Sequence, residues 1–260
     1  MSNFKEIFEA LDKVKISIVM QVNLENYEGS RRDPINKFHR AVESFKNQLY
    51  KNCELIIVAD GCNKTHQLFN RSHKNDSNIR FVYFDRTNTS AMYEEIEDKG
   101  KYYRGYARKL GVAAATGELI MYMDSDDFLM PNFTMTGLLY YNANPEKDWW
   151  VNTSWFDHES VKLSTTNSQA VSDPSETEAI EIPGLQDKWK PIELLENRQV
   201  LSPWLMMHRS SLTTKWRDVI SKNVSEDVDF FKRLQSEYPN GSAYKAASYV
   251  RCHLSGQWDV

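Results

Sequence analysis

The stretch LIMYMDSDDFLMP, Leu119 to Pro131, sets the carboxylates of Asp124, Asp126 and Asp127 between two apolar runs. Clustered carboxylates repel one another and persist only where a cation or a proton neutralises them. Oxygen ligands so close together suit a hard divalent ion such as Mg²⁺ or Mn²⁺. A second acidic group opens the run SEDVDFFKRL at 225–234, where Ser225 is an N-cap and Val228, Phe231 and Leu234 share one helical face. Glu226 and Asp227 then fall in the first turn of a helix, where the dipole favours negative charge. A carboxylate held there has the chemistry of a general base. Acids at helix starts are also commonplace without any catalytic role.

These groups need a scaffold, and the first half of the chain supplies one in alternating units. KISIVMQV (15–22), CELIIVAD (53–60), IRFVYFD (79–85) and ELIMYMD (118–124) are apolar runs of strand length. Between them, PINKFHRAVESFKNQLY (34–50) places Ile35, Phe38, Val42, Phe45 and Leu49 on one helical face, with Pro34 in the first turn. GKYYRGYARKLGVAAATG (100–117) reads as a helix closed by Gly117. Strands apolar on both faces and separated by helices predict an α/β fold, a mostly parallel central sheet with helices on both faces. Ligands of such sheets bind beyond the carboxyl ends of the strands. Asp60, Asp85 and Asp124 all close strands, and so meet at one edge.

The second half is less regular. DWWVNTSWF (148–156) reads as one strand, 157–190 as a long polar loop, and 191–199 and 209–221 as short helices. Trp149, Trp150, Trp155, Trp204 and Trp258 offer flat faces on which a ligand ring would stack; most are expected in the core, with Trp204 beside Pro203 the best exposed candidate.

The chain has 260 residues and a net charge of −4, which gives no global reason to expect nucleic acid or an acidic membrane. Its three cysteines show no CxxC spacing, so a disulfide framework or zinc knuckle is not expected and a reducing, cytoplasmic setting is. The charged N-terminal run does not read as a signal peptide, and no apolar run approaches the roughly 20 residues of a membrane span.

Taken together, ISIVMQV, ELIIVADGCNKT, GYARKLGVAAATGELIMYMDSDDFLMP and SEDVDFFKRL resemble the successive motifs of the inverting nucleotide-sugar glycosyltransferases of family 2, with the GT-A fold. The resemblance covers roughly 15–135 and 200–255. It implies a donor half at 1–150 and an irregular, acceptor-side half at 151–260 carrying the base, within one compact domain. Gln21, Val22, Asp60, Arg108, Asp124 and Ser125 would then bind the donor nucleotide, with Asp60 at the base, Arg108 near the base and phosphates and Asp124 at the ribose. Asp126 would bind Mn²⁺ or Mg²⁺, joined by His253, and Asp127 would either support that ligand or cap the following turn. Asp227 would be the catalytic base, with Trp204 and Glu226 on the acceptor side. The implied reaction moves a sugar, UDP-linked by expectation, to a hydroxyl of a saccharide. The chain departs from the family at Ala59, Cys62 and Lys109, and its first strand runs into a loop at 24–33 carrying Arg31 and Arg32 instead of Pro-x-Tyr-Asn.

Other readings stay open. KGKYYRGYARK (99–109) interleaves basic and aromatic residues as nucleic-acid surfaces do, which admits a viral-type transferase acting on hydroxylated bases in DNA. A non-catalytic sugar-nucleotide binding module would share the donor residues and have no use for Asp227. A nucleotidyltransferase fits less well, because NLENYEGSRRD is a poor phosphate-binding loop.

Overall fold

The computed structural model describes residues 13–24, 34–85, 99–152, 154–157, 192–193, 203–217, 226–244, 246 and 248–251. Within these, the side chains of 60, 99–103, 154–157 and 192–193 lie outside the description. The apolar runs of the first half form β1 (Ile16–Val22), β2 (Cys53–Asp60), β3 (Ile79–Phe84) and β4 (Leu119–Asp124). The helices beside them are α1 (Pro34–Lys46), α2 (Asn63–Ser72) and α3 (Lys99–Ala114). Next come β5 (Phe128–Leu129), α4 (Phe133–Ala143), β6 (Trp149–Asn152), β7 (Ser154–Asp157) and β8 (Ile192–Glu193). A 3₁₀ turn at Pro203–Leu205 leads into β9 (Met206–Arg209), followed by α5 (Glu226–Glu237), β10 (Gly241–Tyr244) and β11 (Tyr249–Arg251).

Seven strands form the main sheet in the order β10-β6-β9-β4-β1-β2-β3, and β5-β11-β7-β8 form a smaller one. β1 lies parallel to β2 and β4, and β2 parallel to β3, while β9 runs antiparallel to β4 and β6. Strands of both halves of the chain therefore share one sheet. Ile16, Ile18, Met20, Leu55, Ile56, Ile57 and Val58 are almost wholly buried. Each such side chain contributes roughly 1.5–3 kcal/mol relative to exposure.

Helices cover both faces. A Cβ on Gly111 of α3 would stand 2.3 Å from Val19 Cγ1, whereas one on Gly137 of α4 would stand 2.5 Å from Met121 Cε. Val19 pairs with Tyr122, so Val19 and Met121 point to opposite sides of the sheet. On the α3 side, α5 packs through Phe230, stacked on Trp216 at 4.1 Å, and Phe231, edge-on to Trp149.

Four expected elements differ. The helix from 34 ends at Lys46, because the buried Gln48 donates to Ser44 O and Met130 O and accepts from Thr134 N, turning the chain; Leu49 is left 63% exposed. The single strand at 148–156 is two, in different sheets, and the turn is anchored where Asn152 donates to Ala246 O and accepts from Ala246 N. In place of a helix at 209–221, β9 ends at Arg209, and 212–217 has no regular structure. The short helix expected from 191 begins instead with β8 at Ile192–Glu193, its remainder lying outside the described residues.

Candidate active site

The parallel register brings the strand ends level. Gln21 pairs with both Asp124 and Val58, Val22 pairs with Ala59, and Asp60 pairs with Phe84. After Asp60 the chain turns at Gly61, whose φ of 59° lies in the left-handed region that favours glycine. Cys62 then caps α2: its buried Sγ accepts from Thr65 N and from Leu24 N, at 3.4 and 3.3 Å. The sulfur thus does the capping work of a serine hydroxyl and also ties the exit of β1 to β2. Gln21 Oε1 is buried and has no hydrogen-bond partner among the described residues. Val22 is 1% exposed and belongs to the core beneath the edge. Ser125 lies half-buried in the turn after β4.

At the end of β4, Asp124, Asp126 and Asp127 each offer a carboxylate oxygen within 4.8 Å of the others. An all-oxygen set of three carboxylates fits Mn²⁺ or Mg²⁺. The loop is braced from two sides. Arg40 of α1 donates to Asp126 O at 2.6 Å and lies over the Phe128 ring. Tyr249 of β11 donates its hydroxyl to Asp127 Oδ2 at 2.8 Å and accepts from Asp124 N at 3.1 Å. Burial pushes the Tyr249 hydroxyl well above its usual range, with the Asp127 and Asp124 charges adding to it, so it stays a donor. Asp127 is 1% exposed and accepts from Tyr249 through one of its two carboxylate oxygens. Nothing in the residue pattern pointed to Arg40 or Tyr249; both act through backbone or hydroxyl contacts between distant elements.

Arg108 crosses the site. Its Nη1 donates to Glu226 Oε1 at 3.0 Å, 118 positions along the chain, and its Nη2 lies 3.8 Å from Asp124 Oδ1. Its guanidinium stands over the Trp216 ring at 5.0 Å. Gly105 permits the approach, since a Cβ there would stand 2.3 Å from Arg217 O and 3.6 Å from Glu226 Cβ. Asp227, the next residue of α5, is half-buried, and its Oδ1 accepts only from Val228 N among the described contacts. Asp229 is occupied by Arg233 at 2.8 Å and Arg217 at 3.4 Å.

Beneath, a buried relay joins β4 to β9. Trp216 Nε1 donates to Tyr122 Oη, which donates to His208 Nε2 at 2.7 Å, while His208 Nδ1 donates to Arg209 O. Burial lowers the His208 pKa to about 4, in keeping with a neutral ring.

Several expectations are corrected or left aside. Trp204 is 4% exposed and stacked on Tyr249 at 4.6 Å, so it presents no open face for a sugar. Trp149 and Trp150 are core residues, as expected of most of the tryptophans. Glu226, 6% exposed, is turned inward to Arg108 instead of outward to an acceptor. In the basic-aromatic run, Arg108 is withdrawn from the surface. The side chains of Asp60 and Trp155, and all of His253, Trp258, Arg31 and Arg32, lie outside the described residues. Among the described residues, no helix is long and apolar enough to cross a membrane.

No protein-family model matches the chain. Part of it is similar to an uncharacterized glycosyltransferase of Haemophilus influenzae, 30% identical over 116 residues, or 44% of this chain and 37% of that one. It is also similar to the bifunctional glycosyltransferase pgtA of Dictyostelium discoideum, 29% identical over 125 residues, 47% of this chain and 14% of that protein. The chain thus spans well under half the length of these curated relatives. Among solved structures, S. aureus TarS 1–349 in complex with UDP-GlcNAc matches with a TM-score of 0.60 at 15% identity, covering 95% of this chain and 61% of that one. A mannosyltransferase from Pyrobaculum calidifontis, in complex with GDP-Man and Mn²⁺, matches with a TM-score of 0.55 at 11% identity, covering 92% of this chain and 56% of that one. The homologues and the structural neighbours are glycosyltransferases, and the chain shares their GT-A-like fold, a mostly parallel sheet wrapped by helices.

Proposed function

We propose that this chain is an inverting glycosyltransferase of the family 2 kind, moving a sugar from a nucleoside-diphosphate donor, UDP-linked, to a hydroxyl of a saccharide acceptor. One observation carries the reading. The first turn of α5, with its acidic residues, is held through Arg108 against the acidic end of β4. A base and a donor edge are thereby neighbours. The UDP-GlcNAc complex of TarS and the GDP-Man complex of the mannosyltransferase support a sugar-nucleotide donor on this fold.

The donor nucleotide lies along the ends of β1, β2 and β4. Gln21 offers its unsatisfied carbonyl oxygen to an N–H of the base, and Asp60 stands at the same edge. Asp124, Asp126 and Asp127 would hold a divalent cation, with Tyr249 and Arg40 fixing the loop; such an ion would supply positive charge for a diphosphate and for the charge that develops as it leaves. Asp227 accepts the proton of the acceptor hydroxyl as that oxygen bonds to the anomeric carbon. The bond from that carbon to the diphosphate breaks with its electron pair on the leaving oxygen, and configuration inverts. Asp229 is unsuited to this task because two arginines hold it.

The test is a screen of UDP- and GDP-sugars for release of the nucleoside diphosphate, followed by Asp227→Asn. The variant keeps the side-chain shape and cannot take the proton. It should lower kcat on the order of 10²–10⁴-fold with donor affinity nearly unchanged. Wild-type kcat in the variant, or a product retaining the donor's configuration, rejects the assignment.

A further inference from the structure

We propose that Arg108 and Glu226 form an internal strut that orients Asp227, and that Arg108 takes no direct part in holding the donor; this rests on the transferase reading above. The two side chains are 5% and 6% exposed and meet at 3.0 Å. The guanidinium has little to offer a diphosphate, since its single positive charge already lies between two carboxylates, Glu226 and Asp124. Its planar face is covered by Trp216. A guanidinium fork serves such a double engagement where a lysine ammonium, a single point charge, does not.

The strut acts on Asp227 through helix geometry. Consecutive residues of a helix are turned by about 100°. With Glu226 fixed inward, Asp227 is fixed at the half-buried rim of α5, where an acceptor hydroxyl can reach it. The first turn of a helix is its weakest part, with unsatisfied backbone donors. Glu226 is the inward anchor of this one. It reaches Arg108 one turn along α3 from Gly105, whose missing side chain makes room for the backbone at Arg217. The same guanidinium also touches Asp124, so the base and the donor edge are set from one point. Small displacements of a reacting group cost catalysis steeply, up to about 10²-fold for 1 Å.

Glu226→Gln and Arg108→Lys test this, together with the double variant, on turnover of the best sugar nucleotide and on binding of UDP or GDP with Mn²⁺ by calorimetry. Each single variant should lower kcat about 10–100-fold and leave donor KM and diphosphate affinity within about twofold. The double variant should lose no more than the worse single one, as expected of residues acting as a pair. Should Glu226→Gln fail to fold, the division between kcat and KM in Arg108→Lys reads the same proposal. Diphosphate binding weakened tenfold or more in Arg108→Lys but not in Glu226→Gln would make Arg108 a donor ligand and overturn the strut. An active wild type with full kcat in Glu226→Gln overturns the strut alone. A wild-type chain that turns over no sugar nucleotide overturns the functional reading and the strut with it.

Discussion

Tyr249 shows what one hydroxyl decides. It is buried between Asp124 N and the Asp127 carboxylate, so it sets both the backbone and the charge of the acidic loop. Tyr249→Phe removes one donor from a carboxylate 1% exposed to water, at a cost of about 1–3 kcal/mol. The partners of metal-binding carboxylates also tune affinity, so Mn²⁺ binding should weaken about 10–100-fold. A Mn²⁺ titration with a thermal melt of each protein checks both effects; unchanged affinity would detach Tyr249 from the site. The acidic triplet itself was legible, because an apolar strand broken by three acids is a local pattern. Tyr249 and Arg40 were not, since what matters is where the chain returns. Trp204 was misread for a related reason: its neighbour Pro203 suggested a surface loop, and the ring is instead stacked on Tyr249.

At the scale of elements, the strands of the first half end within a residue or so of the apolar runs that announce them, as CELIIVAD and β2 do throughout. Buried parallel strands carry their own signal. β9 carries none, because its pairing with β4 and β6 joins the two parts of the sheet and overrides any local helical preference. That junction rests partly on Tyr122 and His208, and it makes stability depend on acid. The folded His208 pKa of about 4 lies below the ordinary 6.5, so the unfolded chain binds more protons between them. Stability should therefore fall as pH drops from about 6.5 to 4. Glu54 adds a lower window. Burial pushes its pKa up, but bonds from Ser17, Thr116 and Lys15 outweigh this and hold it at about 2, so its contribution is lost between about 4.5 and 2. Denaturant unfolding across pH measures the slope. His208→Gln should flatten the upper window and leave the lower one; an equal slope in the variant removes His208 as its source. Gly105→Ala tests the packing of α3 against the backbone at Arg217. The new methyl would strike a backbone carbonyl, so helix propensity should not rescue it, and a loss of about 1–3 kcal/mol is expected in place of the usual gain.

The whole molecule carries a net charge of −4, and its candidate site concentrates that sign. Two like charges 4.8 Å apart repel by roughly 3 kcal/mol at an effective dielectric near 20. A diphosphate arriving at this edge adds to the repulsion, and Arg108, already between two carboxylates, does not relieve it. The donor should therefore bind only together with a divalent cation. This coupling is visible as stability, because a ligand that binds the folded chain alone raises the melting temperature. At about 100 times Kd the gain is about 2.7 kcal/mol, which for a chain of this size corresponds to about 5–10 °C. Thermal melts should show that shift with the preferred sugar nucleotide and Mn²⁺ together, a smaller one with Mn²⁺ alone, and little with the nucleotide in excess chelator. Asp126→Asn should abolish the joint shift while leaving the melt of the free protein nearly in place. A full shift in chelator would mean that protein groups neutralise the diphosphate unaided, and the acidic edge would then need another role.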